Sequence, residues 1–519
     1  MSKKLITNIV GDTSKYNTAK LSQAETINMY VETVDANESS STKILKSIKG
    51  TEVFQHIDGS CRGMYTISNG LDNEPQVYVA YGSKIYLLYN NAAYEVAEIS
   101  NQTTPVRFAE TLGDQITHSH LLFVDGIGCY SIDTGGTPLQ QKESFHSIEL
   151  PFRKFKDNHK IRIQPTHIAY AYGYIIINDA NNNLFYTSYQ YPFLTRIGND
   201  EYDYDLFKIH TDEYKDYGHY TFAEYSPDNI IALCSNGSRV FTFGQNSYQV
   251  FQYTNDINNP FSSPDTAAQR IGIKSSNSLA QLGPFTCFLG GADIGNNGIY
   301  LNVNGSTECQ RISTYAIEQA ISKLPMLDKV YAFMYQYESH VFYVITIDTN
   351  TTFCYDIKEQ SWTTRCSLNA NNERKCWRYK YATMNKDGKL LFCTDNVVGI
   401  ESKHYTDMEL PLLRLRAGGI VSADNQHFYL NNVELQMNNG QFENLNPDKE
   451  ALISMRYSAD GTSYSDYEVV SIGKQGEYDY DAIWYNFGLC KYLTLEFSTT
   501  DDIPFSIYGL NMNYDTCQW

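Results

Sequence analysis

The signatures of catalysis are missing from this 519-residue chain. It contains no C-x-x-C pair, which excludes a zinc ribbon and a dithiol redox motif. No H-E-x-x-H, no Walker loop and no G-x-G-x-x-G after a strand occurs. Long apolar runs are absent as well: none reaches the ~18 residues that a membrane-spanning helix needs. Lys3 and Lys4 precede "LITNIVGD", which is too short and polar for the apolar core of a signal peptide. Charged residues make up only 19% of the chain, so it does not read as disordered. The 40 basic residues are scattered, without the basic face that a sequence-reading duplex binder uses to neutralise phosphates. These absences predict a folded, soluble chain made in a cytoplasm, with no cofactor, no metal and no membrane span.

Tyrosine is abundant, at 43 residues within an aromatic share of 14%. It favours strands and serves at interfaces, because it buries area and keeps a polar tip. The eleven cysteines stand singly. Cys234, Cys287 and Cys354 sit in apolar strand patterns and read as small buried hydrophobes, which suits a reducing compartment. The formal net charge is −19. An acidic surface favours solubility, and it also lets a polyanion pass without sticking. The sequence leaves both readings open.

β patterns dominate. "QVYVAYGSKIYLLY", "HLLFVDGIGCYSID" and "GYIIINDANNNLFYTS" each hold two strands around a Gly or Asn turn. In "GIYLNVNG", Ile299, Leu301 and Val303 share one face before Asn304-Gly305. Asx-Gly pairs recur at Asp58-Gly59, Asn69-Gly70, Asn236-Gly237, Asn297-Gly298, Asp387-Gly388 and Asp460-Gly461, and supply the positive φ that tight hairpins need. "HVFYVITID", from His340 to Asp348, is apolar on both faces, so this strand is covered on both sides. Stacked propeller blades give that environment. The chain therefore reads as all-β. A β-propeller of about six or seven blades occupies residues 55–405, at ~45 residues per blade. Residues 406–519 read as a separate, β-sandwich-like domain. Residues 1–54 carry the polar spacer "VDANESSSTK" and read as an extended arm or a strand donated elsewhere. The clearest helix is "STYAIEQAISKLP": Ile317, Ala320, Ile321 and Leu324 share a face, Ser313 or Thr314 caps the start, and Pro325 stops it.

Candidate chemistry is sparse. "GSCRG" places Cys61 in a cysteine form of the nucleophile elbow, but the following "MYTISNG" reads as strand where the elbow needs a helix. Asp179, Asn181 and Asn183 have Ca²⁺-loop spacing, yet Leu184 replaces the central Gly and Gln190 the bidentate Glu. "SADGTSY", Ser458 to Tyr464, is a degenerate Asp-box turn. His118 and His120 could share a strand face but lack a third ligand. No carboxylate pair is singled out for glycoside hydrolysis. The oddest segment is 199–220, with seven acids, two Lys and five Tyr. A charge run of this kind is a solvated loop or an acidic, aromatic insertion that faces a channel or a partner. On the second reading the site residues are Asp200, Glu201, Tyr202, Asp203, Tyr204, Asp205, Asp212, Glu213 and Asp216.

The words "AEYSPDNIIAL", "VFTFGQNSYQVFQYT", "QRISTYAIEQAISK", "YQYESHVFYVIT" and "CYDIKEQSW" follow one another in an order that resembles the tail-hub or nozzle proteins of short-tailed phages, the packaged-DNA stabilisation family. "HIAYAYGYIIINDANNNLFYTS" upstream, and "INMYVET" and "KSIKGTEVF" near the N-terminus, resemble further words of that family. Tyr225 departs from the family's usual Gly, the glycine-threonine word lacks its Pro-Gly, and 199–220 resembles an insertion. The resemblance implies a structural subunit and no enzyme: a homo-oligomeric ring, a hexamer, in the virion tail. The ring would be assembled in the host cytoplasm below the portal and adaptor proteins, holding tail fibres or spikes. Double-stranded DNA would be retained by the ring and then pass through it without sequence-specific binding. The rival reading is a propeller-type glycan-degrading or glycan-binding tail or envelope protein.

Overall fold

Strands buried on both faces fill the middle of the chain. Gln76–Tyr81, His120–Val124, Tyr174–Asn178 and Thr352–Asp356 are buried at every residue. The computed structural model describes residues 3–7, 9–15, 22–37, 40–70, 74–111, 119–154, 160–189, 218–257, 259–264, 267–292, 295–422, 426–459 and 463–516. Within them, seven antiparallel sheets of four or more strands stand around an axis. Their innermost strands are Cys61–Ile67, Arg107–Glu110, Ile168–Ala171, Ala232–Asn236, Ala280–Leu282, Tyr331–Tyr337 and Tyr381–Met384, and these define blades 1 to 7. The architecture is a seven-bladed β-propeller.

An apolar cluster lies between each pair of successive blades, which is why the strands do not alternate. Ile67 and Leu87 of blade 1 meet Phe123 and Ile132 of blade 2. Ile175 of blade 3 joins Leu122 of blade 2, and Ile299 of blade 5 joins Tyr343 of blade 6. Fully burying one such side chain contributes ~1.5–3 kcal/mol. The predicted helix forms at Tyr315–Ser322 with Ile317 and Ile321 buried. Its cap differs from expectation. Thr314 occupies the N-cap position without a side-chain bond, and Ser313 Oγ instead accepts the Ile299 N–H at 3.1 Å and donates to Glu318 at 2.7 Å. Ser313 thus ties the helix to blade 5. A second helix, Pro138–Glu143, starts with a Thr137–Gln140 capping box and Pro at its first turn.

The N-terminal residues close the structure in three places. Thr51–His56 pairs with Val397–Glu401 as the outer strand of blade 7, so the ring is shut by hydrogen bonds between the two ends of the propeller. Lys3–Thr7 and the hairpin Met29–Asn37/Ser40–Ser47 join Phe428–Met437, Ala482–Cys490 and Ser506–Thr516 in one sheet of the sandwich. Met29, Val31 and Leu45 pack there against Trp484, Phe497 and Phe505. Gln23–Ile27 lies between Ser361–Leu368 of blade 6 and Arg414–Ala417. The sandwich is therefore not made by the C-terminal segment alone, and its second sheet runs continuously into blade 6.

Asn28 makes this seam. It is fully buried with φ 52°, a left-handed conformation that non-glycine residues seldom adopt. Its backbone N–H donates to the Thr364 carbonyl at 3.0 Å. Its Nδ2 donates to the carbonyls of Cys366 and Leu413, both at 2.9 Å, and its Oδ1 accepts the Cys366 N–H at 3.1 Å. One side chain thus saturates the backbone of both domains. Beside it, Arg416 donates to the carbonyls of Ile9 and Asp12 and to Thr26 Oγ1.

A charged clasp holds the hairpin onto the propeller. His340 of blade 6 is fully buried, with Nδ1 2.6 Å from Asp356 Oδ2 and Nε2 2.9 Å from Glu32 Oε2. Lys358 Nζ donates to Glu32 Oε1 at 2.8 Å. Lys46 lies 4.0 Å from Glu32 and 3.2 Å from Glu338, and the Tyr30 ring covers His340 edge-on. Burial alone would lower the His340 pKa, but the hydrogen bonds and charges of Asp356 and Glu32 outweigh it and hold it above the ordinary value. Burial likewise opposes the Glu32 charge, but Lys358 and His340 hold that carboxyl below its ordinary range.

Two predictions follow from the seam and the clasp. Asn28→Ala removes three side-chain bonds and strains the left-handed turn, so urea unfolding should show a loss of about 3 kcal/mol or more. Asn28→Gly should recover only the strain. For the clasp, the His340 contribution is complete below the unfolded pKa of ~6.5 and is lost as pH rises through the higher folded value. The Glu32 contribution is present above ~4.5 and is lost as pH falls through its lowered folded value. Thermal unfolding should therefore show a stability maximum between ~4.5 and ~6.5 from this cluster. His340→Gln should lower stability and flatten the alkaline limb, and an unchanged pH profile in that variant would contradict the assignment.

Candidate functional site

The inner strands of all seven blades enclose a cavity of about 650 Å³. Its walls are mixed: Tyr65, Phe108, Tyr170 and Phe333 stand among small and polar residues. Arg107 begins the inner strand of blade 2 and Glu110 ends it. Glu110 is the one carboxylate among the described residues lining the cavity. Its oxygens accept the Ser68 N–H at 3.0 and 2.9 Å and the Asn69 N–H at 3.2 Å. The paired carboxylates of a glycosidase are therefore not assembled among these residues. Arg107 Nη2 donates to Asn277 Oδ1 at 3.0 Å. Burial, reinforced by the Arg107 charge, pushes the His167 imidazole down to about 3, which leaves the ring neutral at physiological pH.

The acidic block lies outside the described residues from 199 to 217, and with it Asp200, Glu201, Tyr202, Asp203, Tyr204, Asp205, Asp212, Glu213 and Asp216. What is described are its roots. The block interrupts the outer hairpin of blade 3, between Leu184–Tyr189 and Gly218–Phe222. Around these roots stand exposed rings: Tyr172, Tyr189, Tyr220, Phe222 and Tyr225. Tyr172 occupies a left-handed turn at φ 51°, and its ring stacks on Tyr253 of blade 4 with centroids 4.6 Å apart. A Cβ on Gly173 would meet the Tyr189 ring at 2.8 Å, so the turn must be glycine to let that ring approach.

The other motifs resolve into structural roles. Cys61 is buried and opens a strand. Burial and neighbouring Cys393 raise its thiol well above the ordinary value, the opposite of an activated nucleophile. Asp179 Oδ1 accepts the Gln164 and Asn181 N–H groups, each at 3.2 Å. Asn181 donates to Gln164 Oε1 and Asn183 to the Ala223 carbonyl. The Ca²⁺-like spacing thus belongs to a hairpin turn closed by its own side chains. His120 is buried in blade 2, whereas His118, Gln190 and the centre of the Ser458 to Tyr464 turn lie outside the described residues. Among the described residues, no group of three or more His, Cys, Asp or Glu could hold a metal.

Sequence reasoning missed two polar arrangements of the structure. Glu32 and His340 are 308 residues apart in the chain, and Arg107 and Asn277 are 170 apart. No local spacing signals either meeting.

Residues 204–400 match the family model described as "Bacteriophage P22 Gp10, beta-propeller". Residues 414–515 match the model described as "Bacteriophage P22 Gp10, beta-sandwich". The two matches together span more than half of the chain. No curated protein matches the sequence. Among solved structures, the streptogramin B lyase structure is 11% identical, with 74% of this chain and 99% of that chain covered and a TM-score of 0.38. The Myceliophteria thermophila Cps50 (Swd1) β-propeller domain is 8% identical, with 67% and 98% covered and a TM-score of 0.39. The WD40 β-propeller domain of Doa1 is 9% identical, with 68% and 97% covered and a TM-score of 0.34.

Proposed function

The chain belongs to the bacteriophage P22 Gp10 family, and we propose that it is a structural protein of a phage tail that builds a ring in the hub or nozzle. The observation that carries this reading is the order of the two matches, a Gp10 propeller followed by a Gp10 sandwich in one chain. Six copies form the ring. It continues the portal channel, retains packaged DNA and conducts it on ejection. Portal and adaptor proteins lie above it, and tail fibres or spikes attach to it. Its work is non-enzymatic.

The division of labour we propose assigns 55–405 to the propeller, 406–519 to the C-terminal β domain and 1–54 to an arm. The seam at Gln23–Ile27 supports a subunit that bears load as one piece, because a continuous hydrogen-bonded sheet leaves no hinge between its domains. The acidic block of blade 3 lines the channel. Its carboxylates repel DNA phosphates over a Debye length of about 8 Å at physiological salt, which keeps the DNA mobile.

Electron microscopy of the protein alone and with its portal complex should show a six-fold ring at the tail. A monomer that never joins the tail would overturn the reading, and depolymerisation of host capsule glycans by the purified protein would favour the propeller-type glycan-degrading alternative. Replacing Asp200, Glu201, Asp203 and Asp205 with Asn or Gln should leave the thermal unfolding curve unchanged and slow DNA ejection. Unchanged ejection kinetics would return the block to a solvated loop.

A further inference from the structure

We propose that the axial cavity of the propeller binds a small oxyanion of the phosphate type at its Arg107 end. Among the described residues, the Arg107 guanidinium there has no hydrogen-bonded carboxylate. Among the described residues, Arg107 donates to neutral oxygens, Asn277 Oδ1 at 3.0 Å and the Ser276 carbonyl at 3.5 Å. Because Asn277 Oδ1 is taken by Arg107, the amide has its two N–H bonds left to offer. His167 lines the same cavity and is buried, and among the described residues its Nε2 completes no hydrogen bond. Its Nδ1 faces Thr166 Oγ1 at 3.1 Å. When that hydroxyl donates to Nδ1, Nε2 carries the proton and is a donor. The Ser276 carbonyl favours the protonated ring without completing a hydrogen bond to Nε2, and it also accepts from Arg107 at 3.5 Å.

The Arg62 guanidinium, on the inner strand that lines the cavity through Met64 and Tyr65, is buried and has the Asp125 charge beside it. Arg62 uses Nε and Nη1 on the carbonyls of Thr104, Gly82 and Asn101, each at 2.6 Å, and its Nη2 has no partner. The Tyr381 hydroxyl, from blade 7, sits in the field of both arginines. Glu110, the one carboxylate among the described lining residues, stands three residues further along the strand from Arg107, roughly 10 Å away. It is already occupied by the Ser68 and Asn69 N–H groups.

In a chain of net charge −19, an arginine held by neutral oxygens at one end of a cavity is a local construction. An anion there would make each of these bonds charge-assisted. A tetrahedral oxyanion would supply an acceptor to His167 Nε2 and a negative charge to Arg107. This site stands independently of whether the chain builds a ring.

The test is calorimetric titration of the full-length protein with inorganic phosphate, with sodium chloride at matched ionic strength as the control. Saturable binding at or below millimolar concentration is expected, with a rise in Tm that follows phosphate occupancy. Arg107→Gln should weaken binding at least tenfold, and Arg107→Lys should restore part of it. Circular dichroism checks that each variant is folded. Should Arg107→Gln fail to fold, His167→Gln and Asn277→Ala carry the test with the same expected weakening. A parallel arm uses a short duplex oligonucleotide. Competition with phosphate assigns the anion to a nucleic-acid backbone, and its absence assigns it to a free oxyanion. No saturable phosphate effect beyond that of chloride overturns the proposal, as does equal affinity in wild type and Arg107→Gln.

Discussion

Gln23–Ile27 is a five-residue strand with a propeller blade on one side and a sandwich strand on the other, and Asn28 ends it. Remove that strand and two sheet edges, Ser361–Leu368 and Arg414–Ala417, lose their ladder partner at once. Unpaired edges are costly when buried and adhesive when exposed. Asn28 makes the arrangement sterically sustainable. It bends the chain through a left-handed turn, and its amide satisfies backbone groups of both domains. The same stretch of chain goes on to complete the sandwich core through Met29, Val31 and Leu45 and then closes blade 7 through Thr51–His56. The N-terminal residues therefore wait for partners that lie more than 300 positions later. Contacts of that separation carry a large loop-closure entropy, so they form late and hold the finished fold together.

The interior is divided between dry packing and a few charged groups with specific work. Between blades the contacts are apolar and aromatic, such as Phe243 against Phe288 and Trp377 against Phe392. Charge enters where packing alone would not fix a unique docking. His340 between Asp356 and Glu32 admits one placement of the hairpin on blade 6. At the axis, Arg107 and His167 have no such acidic partner among the described residues lining the cavity. The clasp is a closed circuit of charges, and the axial group is an open one.

Much of the fold was legible because β structure advertises itself locally. The run His340 to Asp348 was apolar on both faces, and the structure packs its strand His340–Thr346, in blade 6, between blades 5 and 7. Asn304 and Gly305 both adopt the left-handed conformation expected of an Asx-Gly turn. The helix at Tyr315–Ser322 buries Ile317 and Ile321 as its periodicity required. The helix at Pro138–Glu143 was missed, although Thr137, Pro138 and Gln140 spell a capping box; six residues are too few for a periodic apolar face to show. Composition located the acidic block at 199–220 without saying what it faces. The axial donors and the clasp were invisible, because Arg107, His167, Glu32 and His340 look like ordinary surface-type residues until distant strands bring them together.

By itself, the sequence determined what depends on near neighbours: an all-β chain, the positions of strands and turns, single buried cysteines and the succession of words that carries the family resemblance. The tertiary structure decided what depends on pairing. It set the blade count at seven, placed the first strands in the last blade and in the sandwich, and made one sheet run from propeller to sandwich. The physical reason is that a strand's pattern records whether its faces are wet or dry. Which strand lies beside it is settled only by the ladder edges left unpaired once the rest of the chain has folded.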